Sequence, residues 1–276
     1  MPELPEVETV CSGIRPHILD RSITDFRHSG KNLRHPVPTQ AIHDTLLDTT
    51  IRSVRRRAKY ILIEFDNQNL LAIHLGMTGN LGIFSPESTP TKHCHLRFAL
   101  DNGMELRYTD IRRFGSIHLI AADEVVTIES TLFSTTGPEP FSDAFNPEYL
   151  YKLAQKRSIP VKNFIMTNQV VAGVGNIYAN ESLFQAGISP QRKANRISKK
   201  SWQTLIDAIR KVLTHAIECG GSTISDYVNA DQESGYFQIN FKVYGKAGEP
   251  CSQCEGIIQK KQIGGRASYH CPKCQK

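Results

Sequence analysis

The chain has no uninterrupted apolar run near the roughly 18 residues that a membrane-crossing helix requires, so no membrane span is expected. Its first residues lack the basic start and apolar stretch of a secretory signal, which makes the cytoplasm the expected location. Disulfides are not expected there. Internal repeats are also missing. An acidic excess is absent too: 33 Lys and Arg face 27 Asp and Glu, a formal charge of +6 that favours polyanionic partners.

What is present is the composition of a globular protein, 39% hydrophobic and 22% charged, in 276 residues, enough for two domains of ordinary size. The positive charge is clustered. Arg52, Arg55, Arg56, Arg57 and Lys59 crowd one short segment, and the tail beyond Phe241 carries Lys242, Lys246, Lys260, Lys261, Arg266, Lys273 and Lys276 against Glu249 and Glu255. Such runs either face water or form two separate grips on a nucleic-acid strand.

The first half reads mainly as β-structure. Short apolar or alternating runs at 58–65, 70–75, 95–100, 104–109 and 116–121 are bounded by turn residues, and Asp101-Asn102-Gly103 fits a three-residue hairpin loop. Together they predict a β-sandwich. PEVETVCSGIRPHI ahead of it predicts a helix, with Pro5 suited to the first turn and Glu6 and Glu8 offsetting the positive end of the dipole. Residues 135–148 are rich in turn formers and mark a domain boundary. Beyond it the pattern is helical: Asn146-Pro147 is a helix start, NIYANESLFQAG ends at a glycine, and Ser198 caps a helix running to Cys219 with one apolar face. The polar stretch 220–235 reads as a mobile loop.

The strongest local chemistry is CSQC at 251–254 followed by CPKC at 271–274. Each pair sets two thiolates on one tight turn, and the 16 residues between them suit a hairpin that closes four ligands around one tetrahedral Zn²⁺. Two disulfides or a redox dithiol are the alternatives. With Cys251, Cys254, Cys271 and Cys274 filling the coordination sphere, the ion is structural, leaving Lys260, Lys261 and Arg266 around a Gly-Gly turn to meet phosphates.

The other unusual stretch is MPELPEVETV at the start of the chain. Met1 before a small residue is expected to be clipped, exposing the ring nitrogen of Pro2 as a secondary amine. An α-amine has a reference pKa near 7.7–8, so part of it is neutral and able to attack an electrophilic carbon. Glu3 is placed to exchange protons with a substrate, and Glu6, one turn on, to orient a group or manage water. The same residues also fit a plain proline-started acidic helix.

PELPEVET, RRAKY at 56–60, HLGMTG at 74–79, YTDIRRFG at 108–115, GVGNIYANE at 173–181 and YGKAGEPC with the four-cysteine tail, taken together and in this order, resemble the bacterial formamidopyrimidine-DNA glycosylases. The resemblance implies an α+β protein: an N-terminal β-sandwich with a leading helix (1–134), a linker (135–147), a helix-two-turn-helix domain (148–235) and a zinc-ribbon hairpin (236–276). It implies a monomeric base-excision repair enzyme that acts on damaged double-stranded DNA. Such an enzyme removes 8-oxoguanine and formamidopyrimidines and then cleaves the abasic strand.

By the same resemblance Pro2 attacks C1′ and Glu3 assists with a proton. Lys59 serves the lyase step, and Arg266 holds phosphate and takes part in the second elimination. Met77, Arg112 and Phe114 enter the helix where the base is extruded, although core packing would also suit Met77 and Phe114. Asn176 matches a phosphate contact at a helix start, where G-x-G also fits a simple turn. His74, His93, Arg113, Arg157, Tyr244 and Lys260 complete the implied DNA contacts. Thr167 stands where many members carry an acidic residue and Lys246 where arginine is frequent, two departures outside the implied nucleophile, proton carriers and zinc ligands. Two rival readings are an endonuclease VIII-type glycosylase for oxidised pyrimidines and a non-catalytic zinc-ribbon DNA-binding protein.

Overall fold

The computed structural model describes residues 2–222 and 240–276. Met1 and most of the stretch read as a mobile loop lie outside the described residues. The chain forms two compact units. The first comprises Met1–Ser134 with Cys219–Tyr236, and the second Thr135–Glu218 with Phe237–Lys276. Residues 219–222, placed by sequence at the end of the helical segment, therefore group with the sandwich, and helices and ribbon share one unit.

In the first unit, helix α1 (Leu4–Ile18) is followed by β1 (Ile23–His28), α2 (Thr39–Leu46), β2 (Ile51–Arg57), β3 (Tyr60–Phe65), β4 (Leu70–His74), β5 (Gly79–Phe84), β6 (Cys94–Leu100), β7 (Glu105–Asp110), β8 (Ser116–Ile120) and the short α3 (Ala122–Val125). The strands make two antiparallel four-stranded sheets, ordered β1-β6-β7-β5 and β2-β3-β4-β8. Period-2 alternation sends Ile61, Ile63 and Phe65 of β3 and Leu96, Phe98 and Leu106 of β6 and β7 into one core. Leu62 faces the other way, onto a smaller cluster with Ile128 and Phe133.

Helix α1 adds Val7, Val10, Cys11, Ile14 and Ile18 to the main core, a spacing of three and four that leaves one face dry. Each such side chain contributes about 1.5–3 kcal/mol over its exposed state. This helix is thus seated by its whole length, and its N-terminus inherits that fixity.

The second unit holds α4 (Pro147–Ala154), α5 (Val161–Ile165), α6 (Asn176–Gln185), α7 (Lys199–Glu218) and the hairpin β9 (Gln259–Ile263) with β10 (Arg266–His270). Asn146 caps α4, its side chain accepting the Tyr149 N–H with Pro147 at the first position, and the Ser198 hydroxyl accepts the Ser201 N–H at the head of α7. The ribbon has little core of its own. Val243, Cys251, Ile258 and Cys271 pack against Phe184 of α6. Among the described residues no helix is long and apolar enough to cross a membrane.

Candidate active site and DNA-contact residues

At the head of α1 the cap is built from the two glutamates singled out in the sequence. The Glu3 carboxylate accepts the Glu6 N–H, and Glu6 Oε2 accepts the Glu3 N–H at 2.8 Å. The other Glu6 oxygen accepts the Ser222 N–H at 2.9 Å and the Ser222 hydroxyl at 2.7 Å. Glu3 and Glu6 are both 2% exposed, and Pro2 is buried beside them. Glu6 therefore braces the start of α1 through these three bonds, and Ser222 is a partner that sequence spacing had no means of finding.

Lys59 lies in the two-residue turn between β2 and β3, where Arg57 pairs with Tyr60 and Ala58 takes a φ of 53°. This turn is fastened to α1. Arg56 Nε donates to Glu8 Oε2 at 2.7 Å while its Nη1 donates to the Ala58 carbonyl at 3.0 Å. The arginine run read as a surface grip thus includes a nine-tenths buried member that ties Lys59 to α1.

His74 ends β4. Its Nδ1 accepts the Gly76 N–H at 3.0 Å, which leaves the proton on Nε2. Burial, with the positive charges of Lys59 and Arg34 nearby, pushes its pKa down to about 4, so it is a neutral donor at physiological pH. It lines a cavity of about 610 Å³ with Arg34, Met77, Arg112, Arg113 and Phe114. Phe114 is 45% exposed, and the Arg112 guanidinium sits 4.7 Å over its ring. Met77 is half-buried in the same cavity wall, so neither Met77 nor Phe114 is a core residue. Arg113 donates to the Asn32 carbonyl at 3.2 Å, and His93 is half-buried with its carbonyl accepting the Asp110 N–H.

In the second unit Asn176 is the first residue of α6, and its buried Oδ1 has no partner among the described residues. Arg157 is exposed after α4. Tyr244 donates its N–H to Glu181 Oε1 at 2.8 Å and lies edge-on to Tyr269, with centroids 5.2 Å apart. Glu181 also accepts from Lys242 and Val243, a buried carboxylate that shapes this strip and was legible only as the last letter of GVGNIYANE. Lys260 is exposed on β9, and Arg266 is exposed directly after Gly264-Gly265. Both glycines have positive φ, 55° and 74°, the two-residue turn that twisted hairpins favour. Buried Lys162 donates to the Ala267 carbonyl at 2.8 Å and the Ser268 hydroxyl at 2.6 Å, holding the strand that carries Arg266.

The four ribbon sulfurs are free thiols within 4.8 Å of one another, with Cys251–Cys274 at 3.8 Å and Cys254–Cys271 at 3.4 Å. A tetrahedral ion with Zn–S near 2.3 Å separates its sulfurs by about 3.8 Å. The donor set and spacing fit Zn²⁺.

Three family models match in order: Formamidopyrimidine-DNA glycosylase N-terminal domain over residues 1–117, Formamidopyrimidine-DNA glycosylase H2TH domain over 136–228, and Zinc finger found in FPG and IleRS over 248–276. The chain belongs to the formamidopyrimidine-DNA glycosylase family. Formamidopyrimidine-DNA glycosylases of Alcanivorax borkumensis and Hahella chejuensis are each 46% identical to it over 276 residues, covering all of both chains. Among solved structures, a Lactococcus lactis FPG mutant in complex with a Fapy-dG containing DNA has a TM-score of 0.91 at 33% identity, covering 100% of each chain. The Lactococcus lactis Fpg with an abasic site containing DNA has a TM-score of 0.90 at 34% identity, covering 99% of each. With a glycosylase zinc finger matched over the ribbon, the four cysteines hold one structural Zn²⁺.

Proposed function

We propose that this chain removes oxidised purines, notably 8-oxoguanine and formamidopyrimidines, from duplex DNA and then cuts the strand, with the Pro2 ring nitrogen as nucleophile. The observation that carries the reading is the head of α1, where Pro2 precedes a reciprocal cap that fixes Glu3 and Glu6 within a seated helix. Family membership and the Fapy-dG and abasic DNA bound by the Lactococcus lactis relative support the substrate class.

With Met1 removed, the Pro2 nitrogen attacks C1′ and the bond to the base breaks, its electron pair leaving with the base and Glu3 supplying a proton. Opening of the sugar expels O4′, which takes a proton, and leaves an iminium between C1′ and Pro2. The iminium acidifies C2′. Loss of that proton expels the 3′ phosphate, and a second elimination expels the 5′ phosphate; hydrolysis frees the amine. Lys59, tied to α1 through Arg56 and Glu8, serves the elimination, and Arg266 holds phosphate for the second one. Met77, Arg112 and Phe114 fill the space of the extruded base, and His74, His93, Arg113, Arg157, Asn176, Tyr244 and Lys260 hold the duplex. The enzyme works as a monomer in the cytoplasm, where its DNA substrate lies. Zn²⁺ orders the ribbon and takes no part in bond breaking.

Thymine glycol belongs in the test, because a solved complex of the Lactococcus lactis relative contains oxidised-pyrimidine DNA. Single-turnover rates on duplexes carrying 8-oxoguanine, formamidopyrimidine, thymine glycol or an abasic site are expected to favour the two purine lesions over thymine glycol. A preference for thymine glycol points instead to the endonuclease VIII type, and binding without cutting to a DNA-binding module alone.

A further inference from the structure

Met77 lies between β4 and β5, and Arg112 and Phe114 between β7 and β8. The two loops meet backbone to backbone. A Cβ added to Gly76 would stand 2.4 Å from the Gly115 nitrogen and the Phe114 carbonyl carbon, and one added to Gly115 would stand 1.7 Å from the Tyr108 hydroxyl. No other residue type fits at that seam without moving one loop off the other.

Beneath the seam sits Asp110, fully buried at the end of β7. Its Oδ1 accepts the Thr78 hydroxyl at 2.6 Å and the Arg112 N–H at 3.2 Å; its Oδ2 accepts the Gly115 N–H at 2.8 Å and the Tyr108 hydroxyl at 3.2 Å. Thr78 Oγ1 accepts the same Arg112 N–H at 3.0 Å, so the first loop grips the second through one hydroxyl. The residue is held from behind as well. Its carbonyl accepts the His95 Nε2–H at 2.9 Å, and His95 Nδ1 then accepts the Ser29 hydroxyl at 3.0 Å.

A carboxylate is suited to this place because both oxygens accept, so donors from two loops converge on one group; an amide would turn a donor toward one of them. Every one of the four donors lies in one of the two loops or at Tyr108, at the root of the second. A buried negative charge that gains its compensation from these groups resists any motion that parts them.

We propose that Asp110 is a positioning residue that locks the two loops into a single wedge, so that Met77 and the Arg112–Phe114 stack enter the duplex as one preformed unit. The inference rests on the proposed void-filling role of those three side chains. Joining the loops beforehand removes the ordering cost that two independent segments would each carry on insertion. Thr78 is the pin through which the carboxylate reaches the first loop.

The test compares single-turnover cutting of an 8-oxoguanine duplex with cutting of the same duplex carrying a preformed abasic site, where no base is extruded. Thr78→Val keeps the shape and removes the hydroxyl. It is expected to lower the ratio of lesion to abasic rates about tenfold, the size of one lost hydrogen bond to a charged group, with Thr78→Ser restoring the ratio. Asp110→Asn should lower the ratio further, and 2-aminopurine beside the lesion should report slower unstacking in both variants. A merely structural role would lower both rates together in proportion to folded protein. An unchanged ratio in folded Thr78→Val, or equal losses on both substrates, overturns the proposal. Met77→Ala separates the two readings: if it lowers the ratio and Thr78→Val does not, only the Asp110 wedge falls. If Met77→Ala leaves the ratio unchanged, the void-filling role falls and the wedge with it.

Discussion

The head of α1 and the zinc ribbon are both small constellations, and they are ordered by opposite means. Around Pro2 the order comes from the chain itself: Glu3 and Glu6 satisfy each other's backbone donors, Ser222 donates to the other Glu6 oxygen, and five apolar side chains seat the helix behind them. In the ribbon four thiols converge over only a small apolar cluster around Phe184, Val243 and Ile258, and a metal must supply the remaining cohesion. The nucleophile proposed at Pro2 needs a fixed position before substrate arrives, which a packed helix provides. The phosphate grip proposed for the ribbon needs only a short, well-shaped hairpin, for which one ion suffices.

The largest effect that should separate the two regions is at Glu3. Glu3→Gln is expected to lower base excision by about 10²–10⁴-fold, the range of a lost proton carrier, while leaving zinc content and DNA affinity near wild type. Single-turnover kinetics with metal analysis checks both halves. Cys251→Ser should do the reverse. It loses zinc and disorders the hairpin, weakens DNA binding, and reduces the salt slope of log K by about 2, since Lys260 and Arg266 lose their places. The melting of the sandwich is expected to stay unchanged, because the cysteines belong to the other compact unit.

A smaller effect sharpens the comparison at the brace itself. Ser222→Ala removes the hydroxyl that Glu6 Oε1 holds at 2.7 Å, and should cost about 1.5–3 kcal/mol locally, the worth of a hydrogen bond to a charged group. Denaturant unfolding followed in the first unit measures it. The effect confined to the narrowest conditions is that of His74, which shows only below neutral pH. Its folded pKa near 4 lies below the unfolded value of 6.5, so the unfolded chain binds more protons between those values. The His74 share of stability is therefore complete above the unfolded pKa and is lost as pH falls from 6.5 toward 4. A His74→Gln variant should show a shallower loss of stability across that window, read as the pH dependence of the denaturant midpoint.

Legibility in the sequence followed how local each signal was. Strands β3, β4, β6, β7 and β8 were readable as short apolar or alternating runs between turn residues, α7 through its apolar spacing of three and four, and α1 and α6 through their end signals, Pro5 and a closing glycine. The strands β1, β2 and β5 were not. ITDFRH and IRSVRRR carry polar and basic side chains on exposed faces, and GNLGIF is broken by two glycines, so partner strands rather than alternation decide their state. The cysteine quartet needed only spacing. By contrast, Glu6 was singled out but its partner Ser222 was not, since the two stand 216 residues apart. Arg56 gave the same difficulty: within a run of arginines nothing distinguished the one that turns inward to Glu8 from those that face water. Asp110 lay inside a motif whose neighbours drew the attention, because a buried acceptor shows itself only once its donors are in place.

The central claim is that chemistry starts at the Pro2 nitrogen, and borohydride trapping on 8-oxoguanine DNA tests it most directly, because reduction freezes the iminium as a stable adduct. Protein whose intact mass shows a chain beginning at Pro2 is expected to form the adduct in good yield. A variant with one extra residue ahead of Pro2 should still bind zinc and DNA and yet give none. Robust trapping with Met1 retained, or with the Pro2 nitrogen blocked, would contradict the account.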